Sequence, residues 1–175
     1  MHSTGFPPVA GADARVLILG SLPGAMSLAR REYYAQPRNA FWPIMGRLVG
    51  AAPELPYAER LRRLTAHRIA LWDVCASAFR PGSLDAAILP GSVVANDFPA
   101  FFAAHPGLAL ICFNGAKAAD LFARLAAAPP AIGRARLPST SPAHAGLPFA
   151  DKLARWRHAL AGAGVAAPEM TPVAS

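Results

Sequence analysis

Cysteine is scarce in this chain: Cys75 and Cys112 are the only two among 175 residues. Each sits inside or just after an apolar, strand-like run. Two thiols are too few for a disulfide framework, a cysteine-ligated zinc or an iron–sulfur cluster, so both read as reduced, buried small hydrophobes. Lysine is nearly absent, since only Lys117 and Lys152 occur among 17 basic residues and the rest are arginine. Acidic residues number 10. No apolar run approaches the roughly 20 residues of a membrane-spanning helix. Met1–Ala14 has no basic start followed by an apolar segment, so no secretory signal is expected. His67 and His105 lack partners at metal-ligand spacing, and no metal site is expected. These absences together predict a soluble, cytoplasmic protein with no membrane association.

What remains is a compact, basic chain. It is 54% hydrophobic and 15% charged, a composition that buries a core rather than staying disordered. The length fits one domain over residues 15–161, with a loosely held segment at 1–14 and a frayed tail at 162–175. The net charge is +7. A surplus of that size on a small domain favours a polyanionic partner, nucleic acid first. The arginine, alanine, glycine and proline excess is also what GC-rich coding produces.

Arg15–Gly20 reads as a central parallel strand, a continuous apolar run closed by glycine. Ser21–Arg38 is a long loop, a class of segment that usually carries function. Asn39–Val49 follows as a helix with Phe41, Met45 and Leu48 on one face. Pro56–His67 is a second helix, with Leu61 and Leu64 inward and Arg60, Arg62 and Arg63 largely outward. Arg68–Val74 is a second strand, followed by a loop at Cys75–Leu84. A helix near Asn96–Ala104 leads to a third strand, Leu108–Phe113. Asn114-Gly115 turns into a helix at Ala116–Ala127 that buries Leu121, Phe122 and Leu125. Arg134–Leu137 is a short fourth strand before a Ser/Pro loop. A last helix, Pro148–Ala161, presents Phe149, Leu153, Trp156 and Leu160 to the core, with Lys152, Arg155 and Arg157 on its other sides. Alternating strands and helices predict an α/β fold, a three-layer α/β/α sandwich around a short, mainly four-stranded parallel sheet. A pocket for a flat ligand is then expected at the C-terminal edge of the sheet.

The ordered set GSLPG (20–24), YYAQPRNAFW (33–42), LWDVCASAFRPGSLD (71–85), ICFNGAKAADLF (111–122) and LPSTSPAHA (137–145) resembles the uracil-DNA glycosylase superfamily. Within it, the chain is most similar to the hypoxanthine (deoxyinosine) DNA glycosylase branch. The resemblance implies a monofunctional, cofactor-free DNA repair enzyme. It would flip a deaminated base out of DNA and hydrolyse the base–sugar bond, acting as a monomer on the nucleoid. Hypoxanthine is the expected base, with uracil or xanthine as possible secondary substrates. Ser21 and Leu22 stand where uracil-specific members place a water-activating Asp or Asn, and Ser139 stands where many place a His.

The resemblance places Asn39 as the catalytic residue, its carboxamide orienting a water against the anomeric carbon. An Asn directly before a helix is also a preferred N-cap. Phe41 would stack on the flipped base, or serve as a core residue of its helix. Asp73 would read the base edge, or cap the following loop. Gly20, Ser21, Tyr34 and Asn114 complete the base-binding candidates. Ser139, Thr140 and Ser141 would grip the phosphate beside the flipped nucleotide, although Ser and Pro also build ordinary turns. Lys117 at a helix start, and Arg38 and Arg80 flanking motif loops, are candidates for backbone contact. His144 and Leu147 lie where related enzymes insert a wedge. Two rival functions fit less of the pattern. One is a damaged-DNA binder without turnover, and Asn39 argues against it. The other is a small-molecule α/β enzyme, but GSLPG lacks the P-loop lysine and the glycine spacing of a dinucleotide fingerprint.

Overall fold

The computed structural model describes residues 1–167. Its centre is a four-stranded parallel sheet of β2 (Val16–Gly20), β3 (Ile69–Asp73), β6 (Leu110–Asn114) and β7 (Gly133–Leu137). The strand order is β3-β2-β6-β7. β2 lies in the middle with all five residues buried, as an unbroken apolar run in a two-sided sheet requires.

Side chains alternate across this sheet. Val16, Ile18, Ile69, Leu71, Cys112 and Leu137 face one helical layer. That layer is α2 (Phe41–Val49), α3 (Tyr57–Ala66) and α6 (Phe149–Gly162), and it contributes Phe41, Ile44, Met45, Leu64, Trp156 and Leu160. Leu17, Leu19, Ala70, Trp72, Ile111 and Phe113 face the other. There α4 (Phe98–Ala104) and α5 (Ala116–Leu125) supply Phe98, Phe101, Leu121 and Phe122. The result is the expected three-layer sandwich. Cys75 and Cys112 are both buried free thiols, and burial pushes each up to about 12.

Several segments differ from expectation. The loop after β2 contains a short helix, α1 (Ala25–Arg30). The segment read as a loop from Cys75 opens with a strand, β4 (Cys75–Phe79), which pairs antiparallel with β1 (His2–Thr4) and β5 (Val94–Ala95). The N-terminal segment is therefore anchored rather than loose. Val9 also bridges Leu71 on the outer edge of β3, and Trp72 Nε1 donates to the Phe6 carbonyl at 3.0 Å. An edge strand left open would expose its backbone groups, and residues 1–14 cover them.

At the other end Ala163 and Val165 are buried in the core, and the Arg15 guanidinium donates to the Ala163 carbonyl at 2.6 Å. The fraying expected from 162 onward is thus not seen at Ala163 and Val165, and residues 168–175 lie outside the described residues. Leu125 and Phe149 are exposed, whereas Lys152 is buried. Arg60 lies over the Trp42 ring at 4.7 Å instead of facing solvent. The cation meets the π faces of Trp42 and Tyr57. Among the described residues no helix is long and apolar enough to cross a membrane.

Candidate active site

Parallel strands end together, so β2, β3 and β6 deliver Gly20, Asp73 and Asn114 to one edge of the sheet. Gly20 is paired with Asp73. A side chain at Gly20 would begin 2.5 Å from Asp73 Oδ1 and 2.9 Å from the Tyr34 hydroxyl. Only hydrogen fits there. Two backbone bonds, Val74 N–H to the Gly20 carbonyl (2.8 Å) and Cys75 N–H to the Ser21 carbonyl (3.0 Å), hold the turn after β2 against the end of β3.

Asp73 is 4% exposed, and its Oδ2 has no hydrogen-bond partner among the described residues. Burial pushes its carboxyl up to about 7, the Asp85 carboxylate adds to this, and the Arg80 guanidinium opposes it. The Tyr34 hydroxyl is buried and also lacks a partner among the described residues. Burial, with the Asp73 charge nearby, holds that phenol well above its ordinary range. The Tyr34 ring stacks on Phe41 at 4.1 Å between centroids with 27° between planes. Phe41 itself is fully enclosed, with Trp42 and Trp156 edge-on to its ring.

The helix expected from Asn39 begins at Phe41 with Ala40 as its N-cap, and Asn39 lies half-buried two residues before it. Its Oδ1 accepts from the Phe41 N–H at 2.9 Å. This fixes the direction of the carboxamide and leaves the second lone pair of that oxygen for another donor. The Ala40 N–H then donates to the Thr140 carbonyl at 2.9 Å, which joins the Asn39 loop to the loop after β7. Asn114 clamps that same loop from below. Its Nδ2 donates to Thr140 Oγ1 and its Oδ1 accepts from the Thr140 N–H, both at 2.9 Å. Gly115 makes the close passage possible, at φ 94° and with a Cβ position 3.0 Å from Ser139 Cβ.

The Uracil DNA glycosylase superfamily matches residues 7–161. The chain belongs to that superfamily. It is 40% identical over 121 residues to a protein named hypoxanthine DNA glycosylase from Methanosarcina acetivorans, covering 69% of this chain and 75% of that one. A protein of the same name from Methanosarcina barkeri is 37% identical over the same shares. The fold is similar to a solution NMR structure from Methanosarcina acetivorans, described as a candidate uracil DNA glycosylase, with a TM-score of 0.77. The sequences are 33% identical, and the match covers 94% of this chain and 99% of that one. The motif resemblance to the superfamily and its hypoxanthine branch agrees with these relatives.

Within this superfamily member, the structure gathers Gly20, Ser21, Tyr34, Asn39, Phe41, Asp73, Asn114 and Thr140 around one sheet edge. It also corrects two expected DNA contacts. Arg80 is 1% exposed. Its guanidinium donates to the carbonyls of Gly82 (3.1 Å), Leu22 (3.3 Å) and Pro23, so its charge is spent holding the turn after β2. Thr140 is likewise 1% exposed, with hydroxyl and N–H both engaged by Asn114. Asn114 is correspondingly a clamp for the loop. Ser139 and Ser141 are half-buried, and their hydroxyls accept from the N–H groups of Ser141 and Ala143 at 3.2 Å each.

Arg38 and His144 are exposed and Lys117 is half-buried on the first turn of α5. Lys152, expected on a solvent face, instead donates to the His144 carbonyl at 2.7 Å and anchors the segment carrying the wedge candidates. Sequence reasoning missed Asp85. Its Oδ2 accepts from the Ser21 hydroxyl at 3.1 Å, and its Oδ1 lies 3.9 Å from the Arg80 guanidinium. The signal available was its place at the end of the RPGSLD motif, but no spacing rule links residues 64 positions apart.

Proposed function

We infer that this chain is a monofunctional DNA glycosylase that excises hypoxanthine from deoxyinosine, with Asn39 orienting the attacking water. The Ala40–Thr140 bond carries this reading, because it ties the loop bearing Asn39 to the Ser139–Ser141 loop, which Asn114 in turn clamps to the sheet edge that ends in Asp73. A base turned into that corner has its sugar at Asn39 and its phosphate at the loop. The water oxygen bonds to C1′ as the N-glycosidic bond breaks, the bonding pair leaves with the base, and the water's proton is lost to solvent or to the departing base. Ser139, Ser141, Lys117 and Arg38 line the side that meets the backbone, where contacts position the strand without reading sequence.

Asp73 supports the choice of base. Hypoxanthine N1–H has one carbonyl and one C–H neighbour, whereas uracil N3–H lies between two carbonyls that repel a carboxylate. A neutral Asp73 carries both a donor and an acceptor, much as an amide does, and discriminates less. The carboxyl sits near 7, while burial and nearby charge keep Tyr33, Tyr34 and Cys75 protonated across neutral pH. Below pH 7 the acid dominates and above it the anion does. The ratio of inosine to uracil cleavage is therefore expected to rise about fivefold to tenfold between pH 6 and pH 8. Asp73→Asn should flatten that profile and shift the preference toward uracil.

The direct test is cleavage of oligonucleotides with a single inosine, uracil or xanthine, followed by alkali. Strand breaks at inosine are the expected result. A gel shift at the lesion without breaks would establish a binder instead.

A further inference from the structure

The loop after β4 is tied down on both sides of a single leucine. The Arg80 guanidinium donates to the Gly82 carbonyl at 3.1 Å, the Ala25 N–H donates to Ser83 Oγ at 2.9 Å, and the Ser21 hydroxyl donates to Asp85 Oδ2 at 3.1 Å. The Ala87 and Ile88 N–H groups donate to the carbonyls of Leu84 and Asp85, and Ile88 then enters the core. Ser83 and Asp85 both turn back to the segment Ser21–Ala25. Leu84 stands between them with its backbone fixed and 61% of its surface in water.

Scattered exposed leucines are ordinary on a protein surface. Rigidity and place set this one apart. Ser21 and Ala25 bracket the turn that ends β2, so Leu84 lies beside the sheet edge that carries the Gly20–Asp73 corner. The charges of His144 and of Lys117, which meets the DNA backbone in the reading above, both reach the Asp85 carboxylate. Met26, the next residue after Ala25, is also exposed, at 39%. In the segment 144–147, by contrast, His144 is polar and Leu147 is half-buried.

A base that leaves its helix uncovers the faces of the neighbouring bases, and an apolar side chain inserted there keeps the step open. We propose that Leu84 is a DNA-inserting positioning residue, which packs against the bases uncovered beside the flipped nucleotide from the β4 side of the site. The inference rests on the glycosylase reading. Insertion orders little, because the loop is already fixed, and it takes an exposed apolar side chain out of water.

The test is equilibrium binding to a duplex carrying one slowly cleaved 2′-fluoro-deoxyinosine, with 2-aminopurine beside it to report unstacking by its fluorescence. The same duplex without the lesion is the control. Leu84→Ala should bind the inosine duplex about tenfold more weakly than wild type, bind the control equally well, and lose most of the fluorescence rise. Leu84→Met keeps an apolar side chain of similar reach and should restore both readouts. Because the side chain is exposed, both variants should melt within about 2 °C of wild type, so neither change is a folding effect. Unchanged lesion binding by Leu84→Ala would overturn the proposal. Equal weakening on both duplexes, which marks a backbone contact, would overturn it too, as would an undiminished fluorescence rise or a methionine variant no better than alanine. Cleavage of ordinary inosine by the wild type is scored separately. If the wild type neither cleaves inosine nor prefers the fluorinated duplex, the glycosylase reading falls and takes this inference with it. If it does both and Leu84→Ala matches it, the inference falls alone.

Discussion

Asn39→Ala is expected to slow single-turnover cleavage of an inosine strand by about 100- to 1,000-fold. The carboxamide is too weak a base to take a proton outright, so its contribution is to hold a water in line with C1′ while the sugar gains positive charge. The Phe41 N–H already fixes the Asn39 oxygen at 2.9 Å, so little ordering remains to be done at the moment of reaction. The same bond gives Asn39 a second role, closing the turn that leads through Ala40 into α2, and its loss should cost about 1 kcal/mol of stability. Asn39→Ser separates the two, since a serine hydroxyl closes the same kind of turn but does not reach as far. That variant should melt close to wild type and still fail to cleave. If Asn39→Ala keeps more than about a tenth of the wild-type rate, Asn39 only closes the turn before α2 and the chemistry lies elsewhere.

Arg80→Ala should lower the stability of the fold by about 3–5 kcal/mol, an effect on the order of 10 °C in melting temperature. Removing the guanidinium strands the carbonyls of Leu22, Pro23 and Gly82 without their donors, leaves a cavity, and takes a counter-charge from Asp85. Arg80→Lys should recover little, because an ammonium cannot reproduce a planar fork that reaches three acceptors at once. A residue gripping DNA would behave differently. Lys117→Ala or Arg38→Ala should leave melting nearly unchanged and reduce the salt dependence of DNA binding by about one charge. Arg80→Ala, assayed below its melting point, should leave that slope alone. A shallower slope with unchanged stability would restore Arg80 to the DNA surface.

The fate of Arg80 shows where reading the chain by itself stops. Its carbonyl partners at Leu22 and Pro23 lie 58 and 57 residues away in sequence, and no periodicity encodes that meeting. The parallel strands were legible because a doubly covered sheet demands continuous apolar runs, and the helices because one face must be buried. β1 and β4 were not, because His2–Thr4 and Cys75–Phe79 carry small or polar residues and belong to a separate minor sheet. The inward turn of Lys152 follows from one backbone carbonyl, that of His144, being placed over its helix. For the site, the motifs located Asn39, Asp73 and the Ser139 loop. They could not show that Tyr34 lies across Phe41, because that depends on a single left-handed backbone angle.

The sealed sulfurs offer a practical clock. Cys75 sits where β3 hands over to β4, and Cys112 lies in the middle of β6, so a thiol-specific dye can reach either only when the sheet opens. Dye uptake by the untouched protein thus times the breathing of the very scaffold that carries the site. No engineered reporter residue is required.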